Sequence, residues 1–215
     1  MERDVGEMTL AASERDELCV LMDRLGPDAP TLCAGWTIRD LAAHLVVRVS
    51  RPDAAPGILL PPLSSYTAQV QRSIAQQPFP DLVDQVRANP PWWSVFSLPW
   101  VGDKINTMEF LVHHEDVRRA RPGWEPRAAA SGRAETLWSL LGWAAWMLYR
   151  NSPVGVVLRT PDGWQRTARH GPRRVVVVGA PEELVLHAFG RDQVAIEIEG
   201  DPMDVAGFQR SQRRV

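Results

Sequence analysis

Along the first two thirds of the chain, apolar residues recur every three or four positions. Leu10, Leu18, Leu21, Met22 and Leu25 make one such stripe within 9–25, and Gly26-Pro27 ends it. Thr37-Ile38-Arg39-Asp40 offers an N-cap residue with an acidic residue in the first turn. Ile38, Leu41, Leu45 and Val49 then line one side of the helix it starts. The proline-rich stretch 51–63 predicts a connection. A more polar helix is expected over 64–76, and a short one from Pro80 to Ala88. Pro90-Pro91-Trp92-Trp93 is a break. A long uninterrupted pattern then runs from Asp103 to Ala120 and stops at Pro122-Gly123. Residues 131–150 predict a helix dense in large side chains, among them Leu137, Trp138, Leu141, Trp143 and Trp146.

After Asn151 the period changes. The segments 154–160, 164–170 and 174–178 are short and rich in β-branched residues, with Pro161-Asp162-Gly163 and Gly171-Pro172 as turns between them. Pro181-Glu182-Glu183 opens a short helix with proline in its first turn. A last strand is expected at 195–199 and a last helix at 203–213. The reading is therefore an α+β chain: a helical domain over 1–150, then a small α/β domain over 151–215.

Composition narrows the function classes. Lys and Arg number 24 against 26 Asp and Glu, a formal charge of −2. A chain that binds nucleic acid through its phosphates needs a basic excess, so no nucleic-acid partner is expected. The basic cluster from Arg210 to Arg214 reads as a solvated tail. No apolar run approaches the ~20 residues of a membrane-spanning helix, and no membrane partner is expected. Residues 1–8 carry both charge signs with no apolar run behind them, so no secretory leader is expected. The two cysteines, Cys19 and Cys33, have no metal-type spacing and build no disulfide framework. A cytoplasmic setting fits best.

The strongest chemical signal is Glu109-Phe-Leu-Val-His113. Residues four apart lie on the same face of a helix, so this carboxylate and imidazole can reach one ion, as metal sites in helical bundles require. They can equally be an ordinary hydrogen-bonded pair. The segment is otherwise apolar, and a buried carboxylate needs a partner. His44 sits in the apolar run Leu41 to Val47 and is the natural third donor, or else a satisfied core histidine. One ion explains both polar sites together. Two imidazoles and one carboxylate suit zinc, with nickel, iron or manganese as alternatives, and three protein ligands leave a coordination position open. Asp40, four before His44, and Asp116, three after His113, could each accept the second ring N–H of its histidine or be solvated charges. His114 points a quarter turn from His113 and is expected to be partly exposed, not a ligand.

These residues also carry a resemblance. Gly35-Trp36-Thr37-Ile38-Arg39-Asp40-Leu41-Ala42-Ala43-His44-Leu45 resembles the first ligand motif of the DinB-like superfamily, and within it the branch of mycothiol-dependent maleylpyruvate isomerase. Glu109-x-x-x-His113 with Asp116 resembles that branch's second motif. The stretch from Pro181 to Leu184 and on to Phe189-Gly190-Arg191 is loosely similar to its small sterol-carrier-like domain. The resemblance implies a four-helix bundle with a long crossover, one zinc on His44, Glu109 and His113, and the small thiol mycothiol as a cofactor able to bind that metal. It also implies that Arg191 lies at the site's edge and pairs with a substrate carboxylate, as a catalytic residue; alternatively Arg191 is a cation at a helix C-terminus.

Two functions follow. One is a zinc- and thiol-dependent isomerase or S-transferase acting on a small electrophile. The alternative is a metal-dependent binding or sensor module without turnover. Lipid carriage by the second domain would rest on fold analogy alone. Trp92, Trp93 and Trp100 are expected to pack a loop onto the bundle, Cys33 to be structural, and His170 and His187 to be surface or core residues.

Overall fold

The computed structural model describes residues 9–58, 60–98, 101–128 and 132–211. Trp100 and most of the basic cluster at 210–214 lie outside them. The chain divides into two compact units, 1–124 and 125–215.

The first unit is helical. α1 (Leu10–Leu25) starts where the Thr9 hydroxyl accepts the Ala12 N–H and ends at Gly26, whose positive φ of 79° suits glycine. α2 (Ile38–Ser50) starts with a full capping box between Thr37 and Asp40. The proline-rich connection holds two short 3-10 turns, at Ala55–Ile58 and Pro61–Leu63. α3 (Ser64–Ile74), α4 (Phe79–Arg87) and α5 (Val101–Arg118) follow. α1 packs against α5 and α4, and α2 against α3 and α4. Leu18, Met22, Leu41, Leu45, Leu82 and Val83 meet in the resulting core. The predicted stripes supply Leu18, Met22, Leu41 and Leu45, so α1 and α2 bury the face their amphipathic pattern dictates.

The second unit contains α6 (Arg133–Leu148), β1 (Gly155–Arg159), β2 (Gln165–Arg169), β3 (Arg174–Gly179), α7 (Pro181–Ala188), β4 (Ile196–Glu199) and α8 (Pro202–Arg210). The sheet order is β2-β1-β3-β4, with β1 and β3 parallel and both edge strands antiparallel to their neighbours. Along β3, Val175 and Val177 are buried while the residues between them are not, the period-two signature of a half-covered strand. α6 packs against α7 and β2. The sequence reading placed this helix with the preceding bundle. Periodicity shows that Leu137, Leu141 and Ala145 must be covered, but not by what. The α+β class is as expected: helices first, then a small part with a four-stranded sheet.

Candidate metal centre

α2 and α5 each bring a polar row into the bundle's apolar interior. On α2, His44 and Arg48 are four apart; on α5, Asn106, Glu109, His113 and Asp116 are three, four and three apart. Each set therefore lies on one helical face. His44, Arg48, Asn106, His113 and Asp116 are buried. Glu109 keeps 21% of its side chain exposed, which leaves the group a route to solvent.

The three expected donors converge. Glu109 Oε1 lies 3.3 Å from His44 Nε2 and 3.4 Å from His113 Nε2. These distances are long for N–H···O bonds, which centre near 2.9–3.0 Å. They match the edge of a tetrahedron of ligands around zinc, about 3.3 Å for metal–ligand bonds of 2.0–2.1 Å. The donor set and its spacing thus fit a zinc-sized ion.

Each donor is held from behind. His113 Nδ1 lies 2.9 Å from Asp116 Oδ2, so the carboxylate can fix the ring with its proton on Nδ1 and its lone pair on Nε2. The Trp36 ring stands 5.0 Å from the His44 ring, and the two histidine rings meet edge-on at 5.4 Å. Arg48 Nε lies 3.4 Å from Glu109 Oε1. Arg48 is itself fixed by Asn106 Oδ1 at 2.9 Å and by the Phe96 ring, 3.8 Å below its guanidinium carbon. Asn106 in turn donates to the Phe96 carbonyl.

Electrostatics follow from these contacts. Burial pushes the His44 imidazole below its ordinary value, so its lone pair is free of a proton at neutral pH. Burial alone would raise Glu109, but the Arg48 guanidinium, with His113 and His44 beside it, outweighs it and holds the carboxyl well below the usual range. Burial alone would lower His113, yet Asp116, Cys33 and Glu109 hold it well above its ordinary value. An ion on His113 Nε2 must therefore displace a proton.

Several expectations change. Asp40 does not serve His44: its Oδ2 accepts the Thr37 N–H at 2.9 Å and the Thr37 hydroxyl at 2.8 Å, as a helix cap. His114 is buried rather than partly exposed, with Nδ1 2.9 Å from the fully buried Glu14. Its quarter-turn offset points it at α1 instead of at solvent. Trp92 does not pack a loop; it is 88% exposed. Cys33 is no isolated structural thiol, since its Sγ lies 3.2 Å from Asp116 Oδ2 and 3.9 Å from His113 Nδ1. His170 and His187 are as expected, the first exposed and the second a core residue bonded to the Tyr149 hydroxyl at 2.8 Å. Arg191 belongs to the second unit, just past α7, where its Nη1 donates to the Phe189 carbonyl.

Sequence reasoning missed Arg48, Asn106, Trp36 and Cys33. Arg48 had a readable signal, since it follows His44 at the same four-residue interval that linked Glu109 to His113. Cys33 had none, because its contact with Asp116 spans 83 residues.

The fold and site thus define a helical bundle with a candidate three-donor metal centre between two helices. Residues 10–57, which contain His44, match the family model of the mycothiol maleylpyruvate isomerase N-terminal domain. The fold is similar to the crystal structure of the mycothiol-dependent maleylpyruvate isomerase, with TM-score 0.51 and 18% identity, covering 89% of this chain and 91% of that one. A histidine-to-alanine mutant of that enzyme matches at TM-score 0.52 and 17% identity, with the same coverage. No curated protein matches. The family match covers the first of the two motifs, and the likeness to the solved structures is one of fold.

Proposed function

We propose that this chain binds one divalent ion, zinc in the first place, through His44 Nε2, Glu109 Oε1 and His113 Nε2. We further propose that it uses the ion with a small thiol such as mycothiol to isomerise or S-transfer a small electrophile. The observation that carries the reading is the convergence of these three donors at ligand spacing inside the bundle. Mycothiol enters through the likeness to an isomerase described as dependent on it.

When bound, a divalent ion with an open coordination position would stabilise a thiolate, the nucleophilic form of a thiol. The chain's own residues do the remaining work. Asp116 holds the His113 proton at Nδ1 and so keeps Nε2 available. Arg48 keeps Glu109 ionised and fixes one side of its carboxylate. Trp36 limits the rotation of His44 and covers it from bulk water. Arg48 adds a positive charge beside the cation, so an anionic occupant of the open position is favoured. Arg191 is proposed to pair with a substrate carboxylate, for which a planar guanidinium is suited.

Elemental analysis of the purified chain beside His113→Ala tests the reading. One zinc per chain, lost in the variant, is the expected outcome. A wild-type chain that holds no ion after zinc is added back would leave Glu109 as an ordinary partner of Arg48.

A further inference from the structure

His113 presents two nitrogens to two different sets of donors. Beyond its Nδ1 lie Asp116 Oδ2 at 2.9 Å and Cys33 Sγ at 3.9 Å, and the sulfur and carboxylate are 3.2 Å apart. All three atoms lie within 4.8 Å of one another. Around a zinc-sized ion, a sulfur and an oxygen or nitrogen ligand stand about 3.6 Å apart, and the two sulfur distances bracket that value.

The thiol is built in. The Leu32 N–H donates to the Asp116 carbonyl at 3.0 Å, tying the loop to α5. The Cys33 N–H donates to the Thr31 hydroxyl, and its carbonyl accepts the Trp36 N–H at 2.9 Å. His113 and Asp116 are buried and Cys33 is half-buried, so an ion can enter from the loop side.

We infer that Cys33 Sγ, Asp116 Oδ2 and His113 Nδ1 form a second cation site, selective for a thiophilic divalent ion and exclusive of the first. Only the exclusivity rests on the proposed first site. Selectivity follows from the thiolate, a soft ligand that the first trio lacks. Charge favours it too: one thiolate and one carboxylate neutralise a divalent ion. Exclusivity follows from the imidazole, which in its neutral form has one N–H and one lone pair. With an ion on Nε2, Nδ1–H donates to Asp116. With an ion on Nδ1, Nε2–H turns to Glu109, 3.4 Å away. Binding forms bonds from the metal to Sγ, Oδ2 and Nδ1, releases the Sγ proton and the Nδ1 proton to solvent, leaves Nε2–H in place and involves no oxidation.

The test is titration of the metal-stripped full chain with cadmium chloride, following thiolate-to-cadmium charge-transfer absorption and bound metal. The expected band saturates at one cadmium per chain. It vanishes in Cys33→Ala, persists in Cys19→Ser, and persists in His44→Ala, where the first trio is broken. On the zinc-loaded chain, cadmium releases zinc as the band grows. No band in the wild type, or an undiminished band in Cys33→Ala, overturns the site. A band that grows while zinc stays bound overturns the exclusivity. Should His44→Ala not fold, His44→Gln makes the same separation. A chain that gives the band but binds no zinc fails the first reading and keeps this one.

Discussion

The seam between α1 and α5 and the seam between α2 and α5 are both polar, yet they are built differently. At the first, contacts are close: His114 Nδ1 lies 2.9 Å from Glu14, and along α5 beside it Glu115 bridges Arg118 at 2.7 Å and Arg119 at 2.5 Å. Arg119 also lies over the Trp124 ring. At the second, Glu109 stands 3.3 to 3.4 Å from three nitrogens and closes fully on none. Neighbouring residues of one helix, His113 and His114, thus serve opposite ends. A carboxylate closed on by two guanidinium groups, as Glu115 is, has its charge taken up and offers little to an ion. A group held apart by side chains behind it can accept one.

The comparison breaks most sharply at Glu115. Glu115→Ala takes the carboxylate from the fully buried Arg119 and is expected to cost about 3–5 kcal/mol, read by urea unfolding of the metal-stripped chain. His44→Ala should cost that same chain only about 1–2 kcal/mol while abolishing stoichiometric zinc. Equal losses of stability in the two variants would erase the distinction. Arg48→Met is next: with a positive charge removed beside the ion, zinc should bind roughly tenfold tighter by competition against a chelator, about 1.4 kcal/mol. Weaker binding would make Arg48 a clamp on Glu109 first and a charge second.

Thiol labelling reads a smaller contrast, between a thiol in the apolar core and one beside the site. Burial pushes the Cys19 thiol up to about 12, with the sulfur packed against the Val83 carbonyl. At pH 8 one thiol, Cys33, should react in the native chain and two after unfolding. The sign for stability follows. The neutral Cys19 thiol supports the fold below its ordinary value of 9.0, and that support is lost as pH rises toward 12. Arg191→Ala should have the least effect, leaving zinc content unchanged, because Arg191 is not among the proposed ligands.

Much of the fold was legible. Helix starts at Thr9 and Thr37 are local chemistry, since a hydroxyl and the backbone N–H groups it accepts lie within three residues. The strands around Val156 and Val176 follow from β-branched runs between turns. The partner of α6 was not legible, because an apolar stripe specifies that a face is covered and leaves open what covers it.

The same division runs through the site. The sequence alone placed Glu109 with His113, and His113 with Asp116, within reach of each other, because residues three and four apart share a helical face. It also pointed to His44, through a lone imidazole in an apolar run. The sequence left open whether Asp40 caps its helix, and helix packing settled that His114 faces Glu14, that Arg48 compensates Glu109 and that Cys33 reaches Asp116. The last three are contacts between elements far apart in sequence, set by how the helices pack. Asp40 chose between two partners within reach, and the Thr37 cap is the one its position at the helix start favours.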